Sequence, residues 1–244
     1  MPWFRHLILT RFNVRIEQSQ PPSLDWLEHR FDLFERFCLP SVRSQTNANF
    51  DWVVFCHPGM PVALLERMEA LREWKAFRPI YFYSVFDQAM VRAAISELVH
   101  GFSHLITTRL DNDDAVSRTF IETIQKHFTG QDFEFLNFTN GYIWQQGTVY
   151  SGQHWSNPFI SLVERAENYA TVYCGNHMDL DRMGRIVQIP EPAAWLQVVH
   201  GRNLLNHAWG QPLPPDTWPE HFGITPGKLA TAPTPSRSRF GNTP

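Results

Sequence analysis

His104-Leu105-Ile106-Thr107-Thr108-Arg109-Leu110-Asp111-Asn112-Asp113-Asp114 is the stretch on which the reading of the chain turns. Its first seven residues are mainly apolar or β-branched, as a strand buried in a sheet requires. Three carboxylates within four residues follow directly. Like charges at that spacing repel, so the cluster needs a cation or well-placed donors to neutralise it. Asp111 and Asp113 leave the strand end with one spacer between them, which suits the sharing of a hard divalent ion through oxygen ligands. The same residues also suit an Asp/Asn turn in which Asp114 caps a following helix. Both readings stand at this point. An EF-hand does not, because Ala115 occupies the third ligand position and no Gly follows where that loop requires one.

Outward from this segment, strands and helices alternate. His6 to Val14 is strand-like, and Gln20-Pro21-Pro22-Ser23 reads as a loop. Ser23 or Asp25 caps a helix whose apolar residues Trp26, Leu27, Phe31, Leu33, Phe34 and Phe37 recur at the helical period, with Pro40 expected to end or kink it. Asp51 to Cys56 is a continuous apolar run, closed by the turn residues His57-Pro58-Gly59. A helix over 60–76, a strand over 80–83, and a helix over 87–99 come next. Four strand-helix units in succession predict an α/β fold with a mostly parallel central sheet flanked by helices. In such a sheet ligands bind beyond the carboxyl ends of the strands, where the acidic cluster falls. Beyond residue 115 the reading is a helix over 117–128, a strand over 133–138, and shorter strands over 141–150, 171–174, 186–189 and 195–199. From about residue 225 the chain is rich in Pro, Ser, Thr and Gly without apolar period. The expected division is one folded domain over 1–222 and a flexible tail over 223–244.

Composition narrows the function. The 244 residues carry a formal net charge of −3, which does not support a basic nucleic-acid footprint. Hydrophobic residues make up 43% and charged residues 18%, as in a chain with a substantial core. The three cysteines, Cys38, Cys56 and Cys174, are widely spaced and form no CxxC, so reduced thiols in a cytoplasm are the simplest expectation. No stretch approaches the ~20 apolar residues of a membrane helix, and any membrane-bound substrate would be met in a peripheral visit. A Gly-x-Ser-x-Gly elbow, a Walker loop and a Gly-x-Gly-x-x-Gly turn are all missing from the sequence.

The strand with its Asp-x-Asp resembles the corresponding segment of GT-A nucleotide-sugar glycosyltransferases, and more closely the bacterial rhamnosyltransferase family. The likeness extends to Thr10-Arg11-Phe12-Asn13, to Leu33-Phe34-Glu35-Arg36-Phe37-Cys38-Leu39-Pro40-Ser41, to Asn157-Pro158-Phe159-Ile160-Ser161-Leu162-Val163-Glu164, and to Trp195-Leu196-Gln197-Val198-Val199-His200-Gly201-Arg202-Asn203. These blocks cover roughly residues 5 to 210. The resemblance implies a GT-A-like fold with a Rossmann-like nucleotide half. It also implies an enzyme that moves a hexose, with L-rhamnose as a candidate, from a nucleotide-diphosphate sugar (a dTDP-rhamnose or a UDP- or GDP-sugar) to a glycan or lipid-linked saccharide acceptor.

The same resemblance implies residue roles. Mn²⁺ or Mg²⁺ would sit on Asp111, Asp113 and His200, the last matching a terminal metal-binding His. A general base is sought where the family carries Glu-Asp; this chain has Met178-Asp179, and the order of candidates is Asp179, then Asp181 and Glu164. Thr10, Arg11 and Asn13 at the first strand end, with Arg92, Arg109 and Asp111, are expected to serve the donor, Arg11 through a phosphate. Arg109 can instead pair with the acidic cluster, and Arg30 serves either the nucleotide or a salt bridge, with the salt bridge favoured. Trp144, Trp155 and Trp195 are stacking candidates for the acceptor or else core residues. Two alternatives use some of the same features. A haloacid-dehalogenase-type Mg²⁺ phosphatase also places Asp-x-Asp after a buried strand, and a non-catalytic carbohydrate-binding protein would account for the aromatics.

Overall fold

The computed structural model describes residues 3–16, 22–201, 207–215 and 217–224. Of the tail expected over 223–244, residues 225–244 lie outside the described residues, as does Arg202, while Gly223 closes a short 3₁₀ turn and Ile224 is buried.

Four parallel strands build the first half. They are β1 (Phe4–Arg11), β2 (Asp51–Cys56), β3 (Phe77–Tyr81) and β4 (His104–Arg109), with spatial order β4-β1-β2-β3. All six residues of β2 are buried, because it is covered on both faces. Its side chains alternate between two layers, as the two-residue period of a strand dictates. Trp52 and Val54 join Ile8, Phe31 and Phe34 on one face, while Val53 and Phe55 join Leu7, Leu9, Val91 and Ile95 on the other. The covering helices are α1 (Leu24–Leu33), α2 (Leu39–Arg43), α3 (Val62–Ala70) and α4 (Gln88–Val99). Ser23 caps α1 by accepting from the Trp26 amide, and Asp87 caps α4 by accepting from the Met90 amide.

Pro40 does not end the first helix. Residues Phe34–Cys38 form a π-turn, in which the Leu39 amide reaches back five residues to the Phe34 carbonyl. Pro40 then falls in the first turn of α2, where its missing N–H costs little.

The second half departs from a single parallel sheet. After residues 110–114 come β5 (Ala115–Val116), α5 (Phe120–Lys126), β6 (Phe133–Phe138), β7 (Asn140–Gln145), β8 (Thr148–Gln153), β9 (Ser161–Arg165), β10 (Ile186–Ile189), β11 (Trp195–Val199) and β12 (Gln211–Pro212). The main sheet has seven strands in the order β10-β6-β9-β4-β1-β2-β3, with β9 antiparallel to both neighbours and every other pair parallel. The fold is thus α/β with a mostly parallel sheet, as the strand-helix alternation implies. A smaller five-stranded sheet, β12-β8-β7-β11-β5, stands beside it. Between them they share the acidic segment, which leaves the main sheet at β4 and enters the smaller one at β5. Leu33 and Phe37 pack beneath the smaller sheet with Trp144, Leu196 and Val198.

Several expected elements are revised. The strand expected over 141–150 is the β7-β8 hairpin, turned by Gln146 and Gly147, both at positive φ. Residues 171–174 form a turn in which the Cys174 amide bonds the Thr171 carbonyl at 3.0 Å, with Thr171 at φ 69°; β-branching there reflects burial rather than a strand. The helix expected over 60–76 stops at Ala70 and ends in one tight turn over Leu71–Glu73. β3 begins three residues earlier than the apolar run suggests, since Phe77 and Arg78 pair with Trp52 and Val53.

Candidate active site

The loop that follows β4 carries its three carboxylates into three different surroundings. Asp111 meets arginines from the two central strands. Arg109 Nη2 lies 2.9 Å from its Oδ2, Arg109 Nε is 3.4 Å from Oδ1, and Arg11 Nη2 is 3.5 Å from Oδ1. Burial by itself would raise this carboxyl's pKa, but Arg109 and Arg11 outweigh it and hold it down to about 2. Arg11 lies over the rings of Tyr173 and Phe86, 5.4 Å and 5.8 Å from their centroids. Arg109 Nη1 is also 3.3 Å from His177 Nδ1. Burial, then Arg109 and His154, push the His177 pKa down to about 4, so this ring is neutral at pH 7.

Asn112 ties the loop to its supports. It donates to the Phe12 carbonyl at 2.9 Å and accepts from Arg30 Nη1 at 3.1 Å. Asp113 is buried and meets the same guanidinium, with Arg30 Nη1 2.5 Å from Oδ2. His200, just past β11, places Nε2 3.0 Å from that oxygen. The other nitrogen of His200, Nδ1, lies 2.9 Å from His29 Nε2. Trp26, His29 and Arg30 are spaced i, i+3, i+4, so α1 presents all three on neighbouring positions, and Arg30 stacks on Trp26 at 5.0 Å. Asp114 turns to the smaller sheet, where its Oδ1 accepts from the Val198 amide at 2.8 Å. Burial, followed by the charges of Asp113 and Asp111, raises its pKa well above the usual carboxylate range. Asp114 therefore joins loop to strand and does not cap a helix.

Asp113 and His200 pass a simple test for a divalent cation. Adjacent ligands of an octahedral ion at about 2.1 Å are about 3 Å apart, and the two side-chain atoms are separated by 3.0 Å. Among the described residues no three His, Cys, Asp or Glu side chains converge on one point. Mg²⁺-type sites commonly use one or two protein ligands and complete their shell with phosphate oxygens and water, so two donors suffice. Asp111, expected as a third ligand, is engaged by Arg109 and Arg11, just as Asp113 is engaged by Arg30.

Other expected residues serve the scaffold. Thr10 is wholly buried and its hydroxyl accepts from the Trp52 indole at 2.9 Å. Asn13 spends its side-chain amide on the backbone of His57, donating at 3.1 Å and accepting at 2.8 Å, and so clips the end of β1 to the end of β2. Glu164 pairs with Leu105 at the opposite end of β4 from the acidic loop and accepts from the amides of Ala170 and Thr171 at 2.6 Å and 2.9 Å. Burial raises its pKa to about 7. The exposed Arg92 packs over Tyr169 at 5.6 Å, on the same side as Glu164 and outside the contacts of the acidic loop. Thr10, Asn13 and Glu164 thus spend polar groups on the Trp52 indole and on backbone amides and carbonyls, while Arg92 keeps an exposed guanidinium.

Asp179 and Asp181 lie on a short 3₁₀ turn, His177–Arg182, and both are exposed. His177 anchors that turn to Arg109, and the Ser156 hydroxyl donates to the His177 carbonyl. Asp179 pairs with Arg182 at 3.2 Å. Beside this turn Trp155 is 65% exposed and Met178 58% exposed, whereas Trp144 and Trp195 are core residues at 4% and 1%. Sequence reading missed His29, while Arg30, read as a salt-bridge residue, pairs with Asp113. Their spacing on α1 is the one available signal, and a polar i, i+1 pair on a helix ordinarily marks a solvated face.

The acidic loop with Arg11 and Arg109 lies beyond the carboxyl ends of β1 and β4 in a mostly parallel α/β sheet, where such sheets bind ligands. Residues 22–211 match the family described as "Putative rhamnosyl transferase", and the chain belongs to that family of glycosyltransferases. That membership selects the transferase over the phosphatase and the non-catalytic binding protein. Among solved structures, the chain resembles S. aureus TarS 1–349 in complex with UDP, with a TM-score of 0.50 and 11% identity over 81% of this chain and 61% of that one. The TarS complex with UDP-GlcNAc gives a TM-score of 0.50 and 10% identity over 80% of this chain and 58% of that one. At such identity the likeness concerns the fold, and the chain spans about three fifths of the TarS fragment. No curated protein matches the chain. Among the described residues no helix is long and apolar enough to cross a membrane.

Proposed function

We propose that the chain transfers a hexose from a nucleotide-diphosphate sugar to a glycan or lipid-linked saccharide, with L-rhamnose from a dTDP donor as the first candidate. The observation that carries this reading is the Asp113–His200 pair, 3.0 Å apart, with Arg30 on Asp113 and with Arg11 and Arg109, from the ends of β1 and β4, on the neighbouring Asp111. Family membership supports the rhamnosyl choice, and the UDP and UDP-GlcNAc complexes of TarS support a nucleotide-diphosphate donor.

Arg11 and Arg109 supply fixed positive charge for the diphosphate, and phosphate oxygens compete with Asp111 for them. A Mn²⁺ or Mg²⁺ ion held by Asp113 and His200 would offset the charge that develops on the leaving diphosphate. Asp179, on the turn anchored by His177, is the first candidate to accept the acceptor hydroxyl's proton, with Asp181 second. In that step the acceptor oxygen bonds the anomeric carbon, the bond from that carbon to the diphosphate oxygen breaks, and the proton passes to the carboxylate. Trp155 offers its exposed face to the acceptor sugar.

A thermal-shift screen of dTDP-, UDP- and GDP-sugars with and without Mn²⁺ tests the reading. A ligand that binds only the folded chain raises its melting temperature by mass action. One nucleotide sugar should stand out, and only with the metal. No shift with any donor in Mn²⁺ would contradict the assignment.

A further inference from the structure

We propose that His29 is a positioning residue that holds His200 in the orientation and tautomer a cation ligand needs. The inference rests on the metal reading of Asp113 and His200 and extends it to a residue outside that pair. Asp113 Oδ2, the His200 ring and His29 Nε2 are linked by contacts of 3.0 Å and 2.9 Å. They come from three separate places: the acidic loop, the residue after β11, and the middle of α1. The two imidazoles are tilted by 60° with centroids 4.8 Å apart, so they meet through ring nitrogens and are not face-stacked.

The chemistry follows from the single proton of a neutral imidazole. A nitrogen that gives its lone pair to a cation carries no proton, so the proton sits on the other nitrogen. In the 3.0 Å contact Nε2 of His200 donates to the Asp113 carboxylate, and the neutral ring's Nδ1 then accepts from His29; when Nε2 serves as a ligand it gives up that proton, Nδ1 becomes the protonated atom and the contact with His29 reverses direction. His29 Nε2 is placed to accept that proton's hydrogen bond. Ligating histidines are commonly held in this way through their second nitrogen. His29 is itself fixed, because Leu27 and Phe31 on either side of it are buried in the core and Ser23 caps the helix. The next residue, Arg30, holds Asp113 and Asn112. A single turn of α1 thus grips both members of the pair, the carboxylate through Arg30 and the imidazole through His29.

The test is Mn²⁺ affinity of the full chain, measured without donor by titration calorimetry and by the electron paramagnetic resonance signal of free Mn²⁺. His29→Phe keeps a ring and removes the hydrogen bond; His29→Gln restores a polar group at similar reach. The expected result is an affinity about tenfold weaker in the Phe variant, most of it recovered in the Gln variant, with His200→Ala weaker still. Wild-type affinity in the Phe variant overturns the inference. So does a Gln variant as weak as the Phe variant while both melt like the wild type without Mn²⁺, because ring packing would then be the cause. A wild-type chain with no Mn²⁺ affinity overturns the metal reading and this inference together. If the order of affinities holds and no nucleotide sugar is turned over, the proposed reaction falls and the role of His29 stands.

Discussion

The two sheets treat one acidic loop in opposite ways. The seven-stranded sheet meets it with guanidinium groups: Arg11 from β1 and Arg109 from β4 close on Asp111 and keep it ionised. Among the described residues the five-stranded sheet offers no comparable charge to Asp114. One backbone amide, that of Val198, bonds it, and burial with neighbouring carboxylates disfavours its ionised form. Asp113 stands at the seam, with Arg30 on one side and His200 on the other. Three aspartates that look equivalent in sequence thus divide into a charge partner, a seam residue and a structural bridge. The lesson concerns position: the sheet that supplies the neighbour decides what the carboxylate can do.

The sharpest way to break this comparison is at the seam. Asp113→Ala should cut transfer and donor hydrolysis by about a thousandfold, and it should lower the melting temperature of a chain that still folds, because the largely buried Arg30 loses its carboxylate partner. A variant that retains full turnover would remove Asp113 from the machinery. The next contrast is between the two flanks. Asp111→Asn gives up charge-assisted bonds and should lower stability in urea at pH 7 by about 1.5–3 kcal/mol. Asp114→Asn keeps an acceptor for the Val198 amide and should cost under about 1 kcal/mol. The reverse order would contradict the division of roles.

Glu164 sharpens the comparison from the far end of β4. Its folded pKa, about 7, lies above its ordinary value of 4.5. The folded chain therefore binds this proton more tightly than the unfolded chain between those two values, and stability falls as pH rises through that window. The contribution is complete below about pH 4.5 and lost above about pH 7. Glu164→Gln removes the titration, so its stability should change less between pH 5 and pH 7.5 in urea unfolding, although the amide costs some stability throughout. Equal slopes in the two proteins would show that Glu164 does not titrate there. The smallest effect is expected at the acceptor rim. Trp155→Ala should raise the acceptor KM about fivefold, as for the loss of about 1 kcal/mol of stacking, with donor hydrolysis unchanged.

The parallel half of the fold was legible because its strands are buried on both faces and separated by helices of regular period. Asp51–Cys56 needed only its unbroken apolar run. The π-turn at Phe34–Cys38, which joins α1 to α2 ahead of Pro40, was not legible, since the apolar period runs through it unbroken. The second sheet was hidden for another reason. β5 has two residues, and β7 and β8 are divided by a two-residue turn whose Gln146-Gly147 lacks the Asn-Gly or Asp-Gly signature. At the site, Asp113 was suggested by its one-residue spacing from Asp111 after a buried strand, whereas His200, 87 positions further on, was suggested by the resemblance alone. Their helix partners His29 and Arg30 depend on how α1 docks against the loop, which apolar periodicity alone does not specify. Thr10 and Asn13 occupy the expected strand end, but the indole of Trp52 and the backbone of His57 take up their polar groups.

The most direct test of the central claim is calorimetric titration of dTDP and UDP into the wild-type chain and Asp113→Ala, each with Mn²⁺ and with a chelator. The account predicts tight binding of a nucleoside diphosphate only to the wild type with Mn²⁺, and weak binding in the other three conditions. Equal affinity in Mn²⁺ and chelator, or in wild type and variant, would contradict it.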